Sequence, residues 1–147
     1  MSLRHSKTRY EARRTPCRLE ARVANQSSSY RELTQGVSAR LATLRASTPE
    51  VMKSVGELGR AAMAGGALSK KTKELMALAL GVAARCDPCI GYHVQTLVKL
   101  GASRQELDET LGVAVYMGGG PSLMYAASAI AAFEEFSGVA PVQRSAV

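Results

Sequence analysis

Tryptophan is absent from the 147 residues and aromatics make up only 5% of them, so the interior has to be packed without large rings. Ala, Leu, Val and Met take their place, a composition suited to helices that pack closely through small side chains, and the expected fold class is an all-α bundle of about six helices. Three cysteines are too few for a disulfide framework of the secreted kind, and no apolar run reaches the roughly 18 residues of a membrane span. The expectation is one domain in a reducing cytoplasm, off the membrane.

An excess of basic residues is present, with a net charge of +7, and its placement decides what it means. Residues 1–30 carry seven Lys/Arg against two Glu, whereas residues 31–147 carry twelve against ten Asp/Glu. The expected domain therefore has no strong basic field, and no nucleic-acid partner is expected. Residues 1–29 have few apolar side chains and end in Asn25-Gln26-Ser27-Ser28-Ser29, too little to offset their own ordering entropy by burial. They read as a disordered basic arm, or as a start extraneous to the natural chain. The arm is Arg-rich and acid-poor like a transit peptide but lacks the apolar stretch of a secretion signal. Cys17, within it, reads as an incidental thiol.

Helical periodicity begins at Tyr30. Leu33, Val37, Leu41 and Leu44 recur on one face up to Arg45. Thr48-Pro49-Glu50 then opens a second helix whose stripe Val51, Val55, Leu58 and Ala62 is expected to be buried, ending at Gly65-Gly66. Ser69 caps a third, in which Leu75 to Ala84 is apolar on every face and is expected to be enclosed. A fourth closes at Gly101, and Ser103-Arg104-Gln105-Glu106 opens a fifth with a capping-box pattern. Gly118-Gly119-Gly120-Pro121 should interrupt it, with a last helix from Met124 to Phe136 and a frayed tail over 138–147. The glycine triplet follows no strand and matches neither dinucleotide nor P-loop spacing, so it reads as a turn or a close approach rather than a phosphate cradle.

Chemistry converges on Cys86-Asp87-Pro88-Cys89-Ile90-Gly91-Tyr92-His93. On a helix, Cys86, Cys89 and His93 fall within an arc of roughly 60°, and the step of four from Cys89 to His93 brings an imidazole to one thiol. A nearby imidazole draws a thiol toward thiolate, which points to redox chemistry. Asp87 is expected to cap the helix with Pro88 at its first position, leaving Cys86 just outside and Cys89 in the first turn. Ile90, Leu97 and Leu100 share the arc, so the site should be largely buried.

Glu74 stands twelve residues before Cys86, on one face with Leu78, Gly81 and Val82. Its carboxylate is either an ordinary surface charge of a Lys-rich first turn or a group turned onto apolar surface. Shared chemistry with the cysteines requires a break near Ala84-Arg85, because a continuous helix would set them about 120° apart. A structural zinc normally takes four ligands, and the best set here would be Cys86, Cys89, His93 and Glu74, with no second C-x-x-C to complete a site of the usual kind. A haem attachment is excluded, since Ile90 follows Cys89.

Glu74, then Cys86-x-x-Cys89-x-x-x-His93, then Val115-Tyr116-Met117-Gly118-Gly119-Gly120-Pro121 in an all-helical chain together resemble the alkylhydroperoxidase D-like, carboxymuconolactone decarboxylase-like superfamily, over about residues 30–137. The resemblance implies a helical protomer that assembles into trimers or hexamers and reduces small-molecule hydroperoxides without a cofactor. Cys89 would be the peroxidatic nucleophile, Cys86 its resolving partner, and His93 and Glu74 a proton relay. An external dithiol, a lipoyl-type reductant in the best-known members, would restore the thiols. Asp87-Pro88 departs from peroxidase members that can place a second histidine between the cysteines. The lactone decarboxylase branch does not depend on a C-x-x-C, and a redox-sensing or structural oligomer without turnover is the non-enzymatic alternative.

Overall fold

The computed structural model describes residues 29–139. The arm up to residue 28, with Cys17, and the tail from residue 140 lie outside the described residues. Five helices follow in order: α1 Tyr30–Ser47, α2 Pro49–Met63, α3 Lys70–Ala83, α4 Asp87–Lys99 and α5 Arg104–Ser137, with no strand among the described residues. The chain is all-α, as its composition implies.

Local chemistry starts each helix where expected, with one exception taken up below. Ser69 accepts from the Thr72 N–H, and Ser103 forms a complete capping box with Glu106. Ser29 is the cap of α1, in a capping box with Glu32, one residue before the expected start at Tyr30. Glu135 of α5 adds a second cap, its two oxygens accepting from the N–H groups of Tyr30 and Arg31 at 2.7 and 2.9 Å. That carboxylate ties the start of α1 to the end of α5.

α3, α4 and α5 enclose the core. Leu78 and Val82 of α3, Ile90, Val94 and Leu97 of α4, and Leu107 of α5 are fully buried. Ala114, Ala126, Ala129 and Ala132 line the inner face of α5, the small side chains that replace the missing rings. α1 lies across α4 at Gly91, where an added Cβ would come within 2.7 Å of Thr34 Cγ2 and 3.2 Å of the Tyr30 ring. Tyr92 secures the same contact by donating to the Thr34 carbonyl at 2.9 Å.

Three expectations are corrected. The stripe of α2 is not buried: Val51, Val55 and Leu58 are 61%, 56% and 70% exposed, because nothing among the described residues covers that face. α3 is enclosed on one face only, with Met76 and Leu80 open to solvent, and Leu100 likewise stands outside the core. The glycine-proline segment interrupts the fifth helix as expected, though more briefly than a start of the last helix at Met124 implied. The deviation is confined to Gly119, at φ 64° and ψ −153°, and the helix resumes at once with Pro121 in its new first turn, where a missing N–H costs little. Counted by straight segments, α5 is two helices, which brings the bundle to the expected six.

Candidate active site

Two turns of backbone place the site. α3 ends in a Schellman motif: the Cys86 N–H reaches back to the Gly81 carbonyl at 3.0 Å and the Arg85 N–H to Val82 at 3.1 Å. The residue that takes the left-handed conformation is Arg85, at φ 57°, where glycine is usual. The same motif ends α4, with Gly101 at φ 68° in that role. The turn at Arg85 is the break that the chemistry required between Glu74 and the cysteines. It folds α4 back onto α3, so that Cys89 and Ile90 rest over Gly81.

α4 does not start as the sequence suggested. Its cap is Cys86, whose sulfur accepts from the Cys89 N–H at 3.3 Å, and Asp87 and Pro88 occupy the first two helical positions. Asp87 is not the cap because its carboxylate is engaged elsewhere, accepting from the Tyr30 hydroxyl at 3.1 Å. Cys86 and Cys89 are joined in a disulfide, with their Cα atoms 5.2 Å apart.

Glu74 and His93 meet across the α3–α4 seam. Glu74 Oε2 lies 2.8 Å from His93 Nδ1, and the glutamate is only 6% exposed, so its carboxylate is the buried group and not a surface charge. An ionised Glu74 accepts from Nδ1–H, which fixes the imidazole as the tautomer whose Nε2 is the basic nitrogen. A carboxylate at this depth is stable only with such a partner. His93 is half-buried, as are both cysteines, so the site is partly open rather than largely buried.

A cleft of about 400 Å³ reaches Glu74 from outside, lined by the end of α2, Lys70, and Thr96 of α4 among others. Lys73 holds its rim by donating to the carbonyls of Ala62 and Ala64, the unpaired acceptors at the α2 terminus, at 2.9 and 2.7 Å. All four residues singled out in the sequence thus gather at one elbow: the disulfide, His93 one turn beyond it, and Glu74 behind His93. Sequence reasoning missed Tyr30, 57 residues from its partner Asp87 and carrying no motif of its own. Among the described residues no group of three or more His, Cys, Asp or Glu side chains is placed to hold a metal ion. No described helix is long and apolar enough to cross a membrane.

The model of the carboxymuconolactone decarboxylase family matches residues 49–132. A crystal structure of the apo form of a carboxymuconolactone decarboxylase family protein from Legionella pneumophila is similar, with 59% identity, 74% of this chain and 96% of that one covered, and a TM-score of 0.73. A Thermotoga maritima structure covers 65% of this chain and 86% of its own, at 33% identity and a TM-score of 0.56. Among curated sequences, an uncharacterized protein of Cupriavidus necator is 38% identical over 86 residues, 58% of this chain and 76% of that protein. A further uncharacterized protein, from Paracoccus denitrificans, is 35% identical over 81 residues, 55% of this chain and 73% of its own.

Proposed function

The chain belongs to the carboxymuconolactone decarboxylase family, and from that premise we propose that it is a thiol-dependent peroxidase that reduces organic hydroperoxides through Cys86 and Cys89. The observation that carries the reading is the Glu74–His93 pair at 2.8 Å beside a cysteine pair close enough to be disulfide-bonded. A family member acting on a lactone has no need of two thiols at that spacing.

The reaction balances within these residues and one external reductant. His93 Nε2 takes the proton of Cys89, and the thiolate attacks the terminal oxygen of ROOH, breaking the O–O bond and forming a sulfenic acid. The alkoxide that departs takes a proton from the His93–Glu74 pair and leaves as ROH. Cys86 condenses with the sulfenic acid, releasing water and closing the disulfide. An external dithiol, lipoyl-type or similar, then gives two electrons and two protons to restore both thiols and is itself oxidised to a disulfide. Cys89 is the nucleophile because His93 follows it by one helical turn, and Cys86, at the cap, is the resolving thiol.

The exposed stripe of α2, with Leu80 of α3 and Tyr116 and Met117 of α5, supports a homo-oligomer, trimeric or hexameric, in which copies cover these faces. Sedimentation at micromolar concentration should report the assembly, and Leu58→Asp should shift it toward the protomer with helicity unchanged. A reducing cytoplasm suits a site that must be rereduced at each turnover.

The test is steady-state consumption of an organic hydroperoxide with a dithiol as reductant. Turnover should vanish in Cys89→Ser and fall about 100-fold in His93→Gln, within the usual range for loss of an acid–base group. Turnover in wild type that Cys89→Ser leaves intact contradicts the proposal, and decarboxylation of a muconolactone by the Cys86→Ser/Cys89→Ser protein would replace it.

A further inference from the structure

Tyr30 has no part in the proposed reaction, yet it reaches into the cysteine motif. It comes from the first residue of α1, its ring packs over Gly91, and its hydroxyl donates to Asp87 Oδ1 at 3.1 Å. Asp87 stands between the two cysteines in sequence, adjacent to one and two residues from the other. The order Asp-Pro is a strong start signal, aspartate as cap and proline at the first helical position. The helix instead begins one residue earlier, with the Cys86 sulfur accepting the N–H that a cap accepts.

Two arrangements therefore compete for one helix start. In one the aspartate carboxylate occupies the unpaired N–H groups of the first turn; in the other a sulfur does. We propose that Tyr30 is a positioning residue for the cysteine pair: by holding the Asp87 carboxylate against α1, it leaves the positive end of α4 to sulfur and so sets how readily the pair is reduced and ionised.

The electrostatics follow from the two arrangements. With Tyr30 in place, the N-terminal N–H groups of α4 stabilise negative charge on sulfur. With the hydroxyl gone, the Asp87 carboxylate is free to turn onto those N–H groups, which takes them from sulfur and brings its negative charge toward the thiols, disfavouring thiolate. Burial raises the Tyr30 phenol to about 12, the Asp87 charge adds to that, and a hydrogen bond from Ser128 of α5 opposes it. The phenol thus remains a donor throughout the range in which thiols titrate. Of the other charged groups around the pair, Glu74 of α3 is held by His93 and Glu135 of α5 by the start of α1, while Arg85, next to Cys86, is exposed to solvent and common to both arrangements.

This inference rests on Cys86 and Cys89 being a working thiol pair, but its test does not pass through peroxide. Reduced full-length protein is alkylated with iodoacetamide across pH, and the rate at each cysteine is read by peptide mass spectrometry, which separates Cys17. Tyr30→Phe should raise the pKa of the faster-reacting thiol of the pair by about 0.5 unit or more, and make the disulfide harder to reduce in a glutathione titration. Asp87→Asn should lower that thiol pKa, and Tyr30→Phe added to Asp87→Asn should have no further effect, because the hydroxyl acts through the carboxylate. An unchanged profile in Tyr30→Phe overturns the proposal, and so does an equal shift in both backgrounds, which marks a packing effect. If Tyr30→Phe loses the helical circular dichroism of the wild type, Asp87→Asn decides alone: an unshifted thiol overturns the proposal, a lowered one supports it. Shifted thiols without peroxidase turnover would leave this inference standing and remove the proposed function; turnover with unshifted thiols would do the reverse.

Discussion

α2 and α4 are written alike and placed differently. Each starts with a proline in its first two positions and carries an apolar stripe at helical spacing. In α4 the stripe Ile90, Val94 and Leu97 is fully buried between α3 and α5, whereas in α2 no residue is buried at all. An apolar face records that something must cover it, not what does. The helix covered by described elements holds the cysteine pair and His93; the helix that no described element covers borders the cleft that reaches Glu74.

The largest effects should come from breaking the covered face. Leu97→Ala removes a fully buried side chain from the junction of α4 with its neighbours and should lower the unfolding free energy by about 3 kcal/mol in a urea titration. Leu58→Ala in α2 removes as many atoms and should change protomer stability by less than about 0.5 kcal/mol, acting on association instead. Equal losses at the two positions would erase the contrast. Next in size is Gly91→Ala, whose new methyl would lie 2.7 Å from Thr34 Cγ2, closer than real contacts come, and a tight 3.2 Å from the Tyr30 ring. α1 has to move off α4, at a cost of about 1–2 kcal/mol seen as a lower urea midpoint.

Much of this was legible in the sequence, for identifiable reasons. Ser69, Gly101 and the Ser103–Glu106 box mark helix ends by chemistry confined to one turn, and the structure keeps them. Glu74 and His93 were singled out from spacing and family resemblance, and they lie 2.8 Å apart. What could not be read depended on distant partners. Asp87 looks like a cap until Tyr30 takes its carboxylate, and the α2 stripe looks like core until no described element proves to lie over it.

Smaller effects sharpen the account of the elbow. The Tyr30 phenol is raised from 10.0 to about 12 in the fold, so the unfolded chain loses that proton first as pH rises. The contribution is complete below pH 10 and is lost as pH climbs toward 12, and urea midpoints taken across that window should fall more steeply in wild type than in Tyr30→Phe. Smallest is Arg85→Gly. It relieves a left-handed residue at φ 57° but frees the unfolded chain, for a net gain of about 0.5 kcal/mol. A loss there would mean that the arginine side chain, not its backbone, holds the turn.

In the proposed reaction α4 presents Cys89 as the nucleophile, with Cys86 positioned to resolve it. One measurement addresses it directly: reduced protein receives one equivalent of an organic hydroperoxide and its free thiols are counted. The account predicts loss of two thiols per chain in wild type, a trappable sulfenic acid in Cys86→Ser, and no loss in Cys89→Ser. Thiol loss in Cys89→Ser at the wild-type rate, or none in wild type, would contradict it.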